Sequence, residues 1–473
     1  MEKVKVGLFG VGLHAYWSQF DGLLERLIGY QNTIKNKMQV HNDVIVVDAG
    51  MVDGIEKAVD AASLMKKEDV DILFIFISTY ALSSTIIPAV NKLNIPVILL
   101  NIQPLPAIDY DKLNGLNDRG AMTGEWLSSC QACSIPEFAS VFNRACVRYD
   151  IVSGYLEDKE AWDEISGWIM AARVSRGMKR NRMGVLGNYY SGMVDVYSDL
   201  TLQSTVFGTH IEVLEMCELA SLRRAVTKEK TDKKIKEFET AFVIDEACSE
   251  YEIERAAQTS VALDELVEKH KLGSMAYFYS GTDGNEYENI ITSVIAGNTL
   301  LTGKNIPIAG EYEVKNAQAM KIMALMGAGG CFSEFYAMDF NDDIVMLGHD
   351  GPTHYIIAEG KVKLVPLPVY HGKPGKGLSI QASVKHGPVT LLSVVEGNDG
   401  LSFLLAEGES VPGPILNIGN LNSRYKFPVS AKEFIQRWSK AGPSHHCAIG
   451  VGHVADIIKK YAFILDIPVT VIS

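Results

Sequence analysis

The chain has little that would attract a polyanion or hold it in a membrane. Acidic residues outnumber basic ones by 57 to 44, the formal net charge is −13, and no long run of lysine and arginine stands against this balance. Binding to a nucleic-acid backbone needs a concentrated basic surface, so we expect no nucleic-acid partner. No apolar run approaches the roughly 20 residues that span a bilayer, and the N-terminus enters a strand pattern without the regions of a signal peptide. These features predict a cytoplasmic protein with no membrane partner.

Cysteine is also scarce. Seven cysteines, an odd number, are scattered over 473 residues, which favours reduced thiols over a disulfide framework. Cys130 and Cys133 form a C-x-x-C, the one spacing here that could bind a metal or support redox chemistry. No second C-x-x-C completes a zinc ribbon, so we interpret the pair as structural thiols.

The length and the pattern of apolar runs predict about three domains, with boundaries at 1–174, 175–331 and 332–473. Short apolar runs at 4–9, 44–47, 72–77 and 96–100 alternate with helical periodicity, as in a doubly wound parallel sheet. A second α/β unit follows, and from about residue 343 alternating strands and glycine-containing turns take over. The predicted fold class is therefore α/β, with two doubly wound parallel-sheet domains followed by a mainly antiparallel, barrel-like β C-terminal domain.

The first strand ends in Gly10-Val-Gly12-Leu-His14-Ala15, a turn that could hold a dinucleotide pyrophosphate. Asp48, the acidic residue that would bind the ribose, lies much further along the chain than the roughly 20 residues that such a motif requires. A tight turn that needs small residues is the simpler interpretation. His14 lies at the C-terminal end of a strand, where ligands bind in open parallel sheets, and a structural or solvated histidine is the alternative.

A stronger signal comes from two glutamates and several histidines later in the chain. Glu311 follows Ala-Gly, Glu334 lies in Phe-Ser-Glu-Phe-Tyr, His349 ends Leu-Gly-His, and His445-His446 follow Ala-Gly-Pro-Ser. Carboxylates and imidazoles are ligands for Mn²⁺ or a related divalent ion. Taken singly, each glutamate is explained as well by a salt bridge or a helix cap. In the adjacent histidine pair, one imidazole could bind a metal while the other meets a substrate.

Four other histidines compete for the ligand role, at positions 354, 371, 386 and 453. His349 is preferred to His354 because it lies at the exit of the strand 344–347, whereas His354 lies beyond a Gly-Pro turn.

At these residues the sequence resembles the L-arabinose isomerase and L-fucose isomerase superfamily, more closely the arabinose branch. The resemblance runs along nearly the whole chain and rests on Ala-Gly-Glu at 309–311, Phe-Ser-Glu-Phe-Tyr at 332–336, Leu-Gly-His at 347–349 and Ala-Gly-Pro-Ser-His-His at 441–446. It implies metal ligation by Glu311, Glu334, His349 and His446, and a substrate-side role for His445. Gln131, in Cys-Gln-Ala-Cys, and His14 resemble further substrate-binding residues.

The resemblance also implies a metal-dependent aldose–ketose isomerase that acts on a pentose, hexose or deoxy-sugar. Glu311 and Glu334 would serve as acid and base through a cis-enediol, with Mn²⁺ or another divalent metal ion as cofactor. A homo-oligomer, trimer or hexamer, is implied, with the active site at a subunit interface and with His14 and Gln131 supplied by the neighbouring subunit. The arabinose enzymes carry a histidine shortly after this glutamine, whereas this chain has Cys133-Ser134, so the sugar specificity does not carry over.

Two other function classes are open. A nicotinamide-dependent sugar oxidoreductase would use the turn at 10–15. A non-catalytic sugar-binding protein would use paired α/β domains, but it would have no need of two glutamates and two histidines.

Overall fold

The computed structural model describes residues 3–40, 43–280, 284–367, 369–370, 373–374 and 377–472. The chain divides into two compact units, Met1–Arg176 and Gly177–Ser473. The first unit ends close to the predicted boundary after residue 174, and the predicted division of the remainder at 331 stays a prediction.

A five-stranded parallel sheet organises the first unit. Its strands are β1 Val4–Val11, β2 Val44–Val52, β3 Ile72–Ile77, β4 Val97–Gln103 and β5 Tyr149–Tyr155, in the order β2-β1-β3-β4-β5. Every residue of β3 is buried, as expected for a parallel strand that is covered on both faces. The helices are α1 Leu23–Met38, α2 Ile55–Lys67, α3 Ser83–Leu93, α4 Tyr110–Asn114, α5 Arg119–Leu127 and α6 Ile135–Arg144. The helix α7 Lys159–Lys179 has residues in both units.

The prediction of reduced structural thiols is wrong for one pair of cysteines. Cys130 and Cys133 form a disulfide. The chain turns tightly just after α5 and brings their Cα atoms to 5.7 Å, within the range that a disulfide bridges. The other five cysteines, at positions 146, 217, 248, 331 and 447, are free thiols.

The second unit begins with a smaller parallel sheet. Its strands are β6 Arg182–Gly187, β7 His210–Leu214, β9 Ser274–Phe278 and β10 Ile308–Ala309, in the order β10-β9-β6-β7, and a short β8 Val243–Ile244 belongs to another sheet. The helices are α8 Leu200–Phe207, α9 Met216–Arg224, α10 Lys228–Ala241, α11 Glu250–His270, α12 Glu286–Ile291, α13 Ile295–Gly303 and α14 Val314–Leu325. All residues of α13 are buried, and those of α14 are buried apart from Lys321.

A closed antiparallel barrel forms the C-terminal part of this unit. Its strands are β11 Gly329–Asp339, β12 Ile344–His349, β17 Gly387–Gly397, β18 Gly400–Val411, β19 Leu421–Lys426 and β20 His446–Val451. They follow the order β17-β20-β11-β12-β19-β18, and the pairing of β17 with β18 closes the ring. Gly400 adopts a positive φ of 106° at the tight hairpin between β17 and β18.

Short elements complete the second unit. The strand β21 Val469–Ile472 runs parallel to β18, β13 Lys363–Pro366 joins β8 and β16 Leu378–Gln381, and β14 Val369–Tyr370 pairs with β15 Lys373–Pro374. The remaining helices are α15 Ala431–Lys440 and α16 Ala455–Leu465. Aromatic side chains of α15 pack into the barrel core, where the Phe434 ring stacks on Phe427 and lies beside Trp438.

The predicted fold class is confirmed: two parallel α/β sheets precede an antiparallel barrel. No helix in the described ranges is both long and apolar enough to cross a bilayer.

Candidate active site

The second unit gathers the four predicted metal ligands where its parallel sheet faces the barrel. Glu311 follows β10, at the C-terminal edge of the parallel sheet. Glu334 lies in β11, where it is directly opposite Gly348 of β12 and His446 of β20. His349 is the last residue of β12, and His446 is the first of β20. Because directly opposed residues on antiparallel strands share a face, this register brings Glu334 and His446 together.

The side-chain distances show one compact cluster. His446 Nε2 lies 3.3 Å from Glu311 Oε2, and His349 Nε2 lies 3.9 Å from Glu311 Oε1. His445 Nε2 lies 3.6 Å from Glu311 Oε2 and 4.0 Å from Glu334 Oε2. The Phe332 ring packs against two of these histidines, with its centroid 4.4 Å from that of His349 and 4.3 Å from that of His446.

Glu311 is held in an unusual backbone conformation. Both Glu311 and Tyr312 adopt a positive φ, 55° and 61°. Residues other than glycine avoid this region because each costs about 1–3 kcal/mol, and they keep it only where the surrounding structure enforces it. The Tyr312 amide donates to Tyr277 O at 3.0 Å, and the Glu313 amide donates to Gly310 O at 3.0 Å, so the tight turn is fixed from both sides. The result aims the Glu311 carboxylate at the imidazoles.

The two carboxylates have different electrostatic surroundings. Burial alone raises the pKa of Glu311, but His445, His446 and His349 more than offset this effect, so that the pKa lies below its usual value. Burial raises the pKa of Glu334, which is about one-third exposed and lies beside the Glu311 charge. Carboxyl groups whose surroundings separate their pKa values are suited to different acid and base roles.

The donor set fits a divalent cation. Ligand atoms of Glu311, His349 and His446 lie within 4.8 Å of one another, and so do those of Glu334, His445 and His446. Within the described residues, buried Glu311 Oε2 and His446 Nε2 have no hydrogen-bond partner. Burying such groups without a partner is costly, and a cation between them would remove that cost. Mixed oxygen and imidazole ligands suit Mn²⁺ and related ions.

A third glutamate, which the sequence analysis missed, supports the cluster from behind. Glu313 is fully buried, and its carboxylate accepts hydrogen bonds from His446 Nδ1 and from the Ser444 hydroxyl. A carboxylate on one ring nitrogen fixes the tautomer of a histidine and directs the other nitrogen at a metal. The available signal was the Glu-x-Glu spacing at 311 and 313, because a second acidic residue in a buried, small-residue turn needs a partner.

Several known proteins to which this chain is similar are L-arabinose isomerases. No family model matches the chain. L-arabinose isomerase of Klebsiella pneumoniae subsp. pneumoniae is 21% identical over 415 residues, 85% of this chain and 80% of that protein. L-arabinose isomerase 1 of Bacillus licheniformis is 20% identical over 90% of this chain and 85% of its own length, and L-arabinose isomerase of Pectobacterium atrosepticum is 24% identical over 71% and 69%.

The chain is related to the L-arabinose isomerases over most of its length.

Among solved structures, an ABC sugar transporter (periplasmic sugar binding protein) from Legionella pneumophila aligns with 66% of this chain and 100% of its own, at 10% identity. Its TM-score of 0.13 is too low to support any argument.

Three of the four competing histidines lie in the described residues, and none of these three belongs to a group of candidate metal ligands. His386 lies 3.7 Å from Glu359, and His453 Nε2 lies 3.1 Å from Gly408 O. His354 is buried, and burial lowers its pKa to about 4. It belongs to neither group of candidate ligands among the described residues. His371 lies outside the described residues.

The two remaining predicted substrate residues belong to the first unit. His14 is 80% exposed, and its Nδ1 lies 3.5 Å from Asp53 Oδ2. Gln131 is fully buried, and its amide nitrogen donates to Ser78 O at 2.9 Å and to Ser128 O at 3.0 Å. Substrate contact by either residue stays a prediction.

The turn that motivated a nicotinamide cofactor is occupied by protein. A side chain at Gly12 would meet the Trp17 ring at 2.7 Å, and Trp17 Nε1 donates to Asp53 Oδ2 at 2.7 Å. The next α-helix, α1, begins only at Leu23, after a short 3-10 turn at His14–Tyr16. A dinucleotide pyrophosphate binds where a helix follows the glycine turn directly, so the local structure favours the simple tight turn.

Proposed function

We propose that this chain is a divalent-metal-dependent aldose–ketose isomerase, with Glu311, Glu334, His349 and His446 as ligands of the ion. The observation that supports this most is the convergence of two carboxylates and three imidazoles from separate elements of the second unit, with buried polar atoms that lack hydrogen-bond partners. Mn²⁺ is our first choice of ion. When bound, it would supply a Lewis acid that polarises a sugar carbonyl, an effect worth several kcal/mol.

The two glutamates provide the acid and the base. Isomerisation moves a proton from C2 of the aldose to C1, and a second proton from the C2 hydroxyl to the carbonyl oxygen. One carboxylate removes the carbon-bound proton, which leaves a cis-enediol, and the second carboxyl group completes the transfer. Glu311 and Glu334 share these roles and exchange them in the reverse direction. Their opposite pKa shifts support a division of labour.

The substrate class follows from the family and from the charge of the chain. A neutral sugar suits a protein of net charge −13 better than a phosphorylated one. The curated relatives are named for L-arabinose, so that sugar is the first candidate, within a range that includes other pentoses, hexoses and deoxy-sugars. His445 is proposed to contact the sugar, because its Nε2 faces both catalytic carboxylates.

Assembly and localisation are further parts of the proposal. We propose a cytoplasmic homo-oligomer, trimer or hexamer, in which His14 and Gln131 of one subunit complete the site of its neighbour. The exposure of His14 supports its part in this arrangement, since its ring is available to a partner subunit, whereas Gln131 is fully buried in this chain and would need a local rearrangement to reach a sugar.

One experiment tests the reaction class. The protein is stripped with a chelator, reloaded with Mn²⁺ and incubated with a panel of pentoses, hexoses and deoxy-sugars, and ketose formation is measured. We expect at least one ketose to form, with activity lost on chelation and restored by Mn²⁺, and none from the Glu334→Gln variant. Verified metal loading without ketose from any sugar would remove the proposal. A nicotinamide absorbance change would instead support the oxidoreductase.

A further inference from the structure

We propose that Asp195 is a positioning residue that holds His445 in the orientation and tautomer needed to meet the sugar. This inference rests on the proposed function, in which His445 contacts the substrate. Asp195 lies in a short 3-10 turn at Val194–Val196, far from His445 in sequence, and no motif of the sequence analysis included it.

One carboxylate oxygen of Asp195 accepts two hydrogen bonds from His445. Asp195 Oδ2 accepts a hydrogen bond from the backbone amide of His445 at 3.0 Å and a second from its ring Nδ1 at 2.6 Å. The first contact fixes the main chain just before β20, and the second fixes the rotation of the ring. Because a carboxylate only accepts hydrogen bonds, Nδ1 carries the proton, and Nε2 is the nitrogen that faces Glu311 and Glu334.

A lysine of helix α14 holds the main chain of the segment that carries Asp195. The ammonium group of Lys315, a buried residue in the first turn of α14, donates to the main-chain oxygen of Asp195 and, at 3.4 Å, to that of Tyr197. Val196, which lies between Asp195 and Tyr197 in the sequence, is fully buried. The same helix α14 directly follows the turn that carries Glu311, so the Asp195 segment and the glutamate share one support.

The adjacent histidines, His445 and His446, therefore each have a carboxylate hydrogen-bonded to the ring Nδ1. Glu313 bonds Nδ1 of His446, and Asp195 bonds Nδ1 of His445, so that both Nε2 atoms point at the same Glu311 carboxylate. The environments differ: Glu313 is fully buried, whereas the Asp195 side chain is 42% exposed. A rigid support suits a metal ligand, and a support at the solvent edge suits a residue that meets an entering sugar.

A double-mutant cycle tests the assignment. We expect Asp195→Asn to lower kcat about 10–100-fold, the usual cost of losing such an outer partner, while Mn²⁺ affinity changes less than about threefold. The amide can donate to Nδ1 and so permits the wrong tautomer. In a His445→Ala background the same change should have no further effect on kcat. Asp199→Asn is the matched control, because Asp199 caps α8 from the same segment and should leave kcat unchanged.

A readout that does not need activity separates this inference from the proposed function. In protein labelled with ¹⁵N-histidine, Asp195→Asn should shift the imidazole nitrogens of His445, identified by their loss in His445→Ala. If the wild type isomerises no sugar but this shift occurs, the proposed function fails and the positioning role stands. An unchanged His445 spectrum, or an equal loss of kcat with and without His445, would overturn the inference.

Discussion

Both units place polar side chains at the C-terminal edge of a parallel sheet, yet the two edges differ. In the first unit, the Ser78 hydroxyl donates to Val11 O, Gln131 donates to two carbonyl groups, and Asp53 accepts from Trp17. In the second unit, Glu311 and His446 are buried with atoms that have no hydrogen-bond partner among the described residues. The first edge is hydrogen-bonded mainly within itself, whereas the second presents carboxylate and imidazole atoms suited to a cation.

The difference explains why position alone does not identify an active site. Ligands usually bind at this edge of an open parallel sheet, and both sheets satisfy that rule. At the second edge, strands of the barrel in the same unit add Glu334, His349 and His446 to Glu311, which follows the sheet strand β10. The difference supports the proposal that the chemistry takes place in the second unit.

Removing either carboxylate of the second unit should have the largest effect. Glu311→Gln and Glu334→Gln each remove a proton-transfer group, and we expect kcat to fall at least about 10³-fold. The measurement is ketose formation at saturating sugar and Mn²⁺, with circular dichroism to verify folding. Gln131→Ala, from the first unit, is the contrasting variant and should retain measurable turnover. Full activity in both glutamine variants would contradict the assignment.

Loss of a histidine ligand should weaken the metal before it affects folding. We expect His446→Ala to raise the Kd for Mn²⁺ by more than about 100-fold, because a ligand matters more than its outer partner. Titration calorimetry measures this, and His386→Ala, a half-exposed histidine beside Glu359, is the matched control. Unchanged metal binding in His446→Ala, with loss in His445→Ala, would move the fourth ligand to His445.

A smaller loss of metal affinity is expected on changing Glu313, which accepts a hydrogen bond from the proposed ligand His446. Glu313→Gln keeps the shape of the side chain but replaces the charged acceptor on His446 Nδ1 and on Ser444. We expect about 10–100-fold weaker Mn²⁺ binding, with a matching loss of activity at limiting metal that excess metal restores. Activity that excess Mn²⁺ does not restore would instead indicate a direct catalytic role for Glu313.

The sequence was sufficient to predict the fold class, and the ligands that it predicts remain candidates. Apolar runs predicted the sheets, and motif resemblance identified Glu311, Glu334, His349 and the histidine pair, all of which the fold brings together. The two carboxylates that bond the histidine pair, Asp195 and Glu313, were not predictable in the same way. Asp195 contacts His445 across 250 positions of sequence, and nothing local to Asp195 indicates that contact. Glu313 lies only two residues from Glu311, but its complete burial, which indicates that it needs a bonding partner, is a property of the folded chain.

The disulfide shows a related limit. Composition predicted reduced thiols, because seven scattered cysteines do not form a framework. Whether two of them pair depends on the path of the chain between α5 and α6, which brings Cys130 and Cys133 together beside the buried Gln131. Spacing alone could not distinguish a bonded pair from two separate thiols.

The smallest effect should come from the first unit, and it tests whether that unit acts on its own chain or on a neighbour. His14→Ala removes one hydrogen-bonding group, worth about 0.5–1.5 kcal/mol, so we expect the KM for sugar to rise up to about tenfold with kcat nearly unchanged. Dissociating and reassociating a mixture of His14→Ala and Glu311→Gln subunits then distinguishes the two arrangements. If a site combines units from two subunits, some mixed sites carry both intact groups, and part of the low-KM activity returns. If each chain completes its own site, mixing yields only the sum of the two parent activities, and the interface proposal fails.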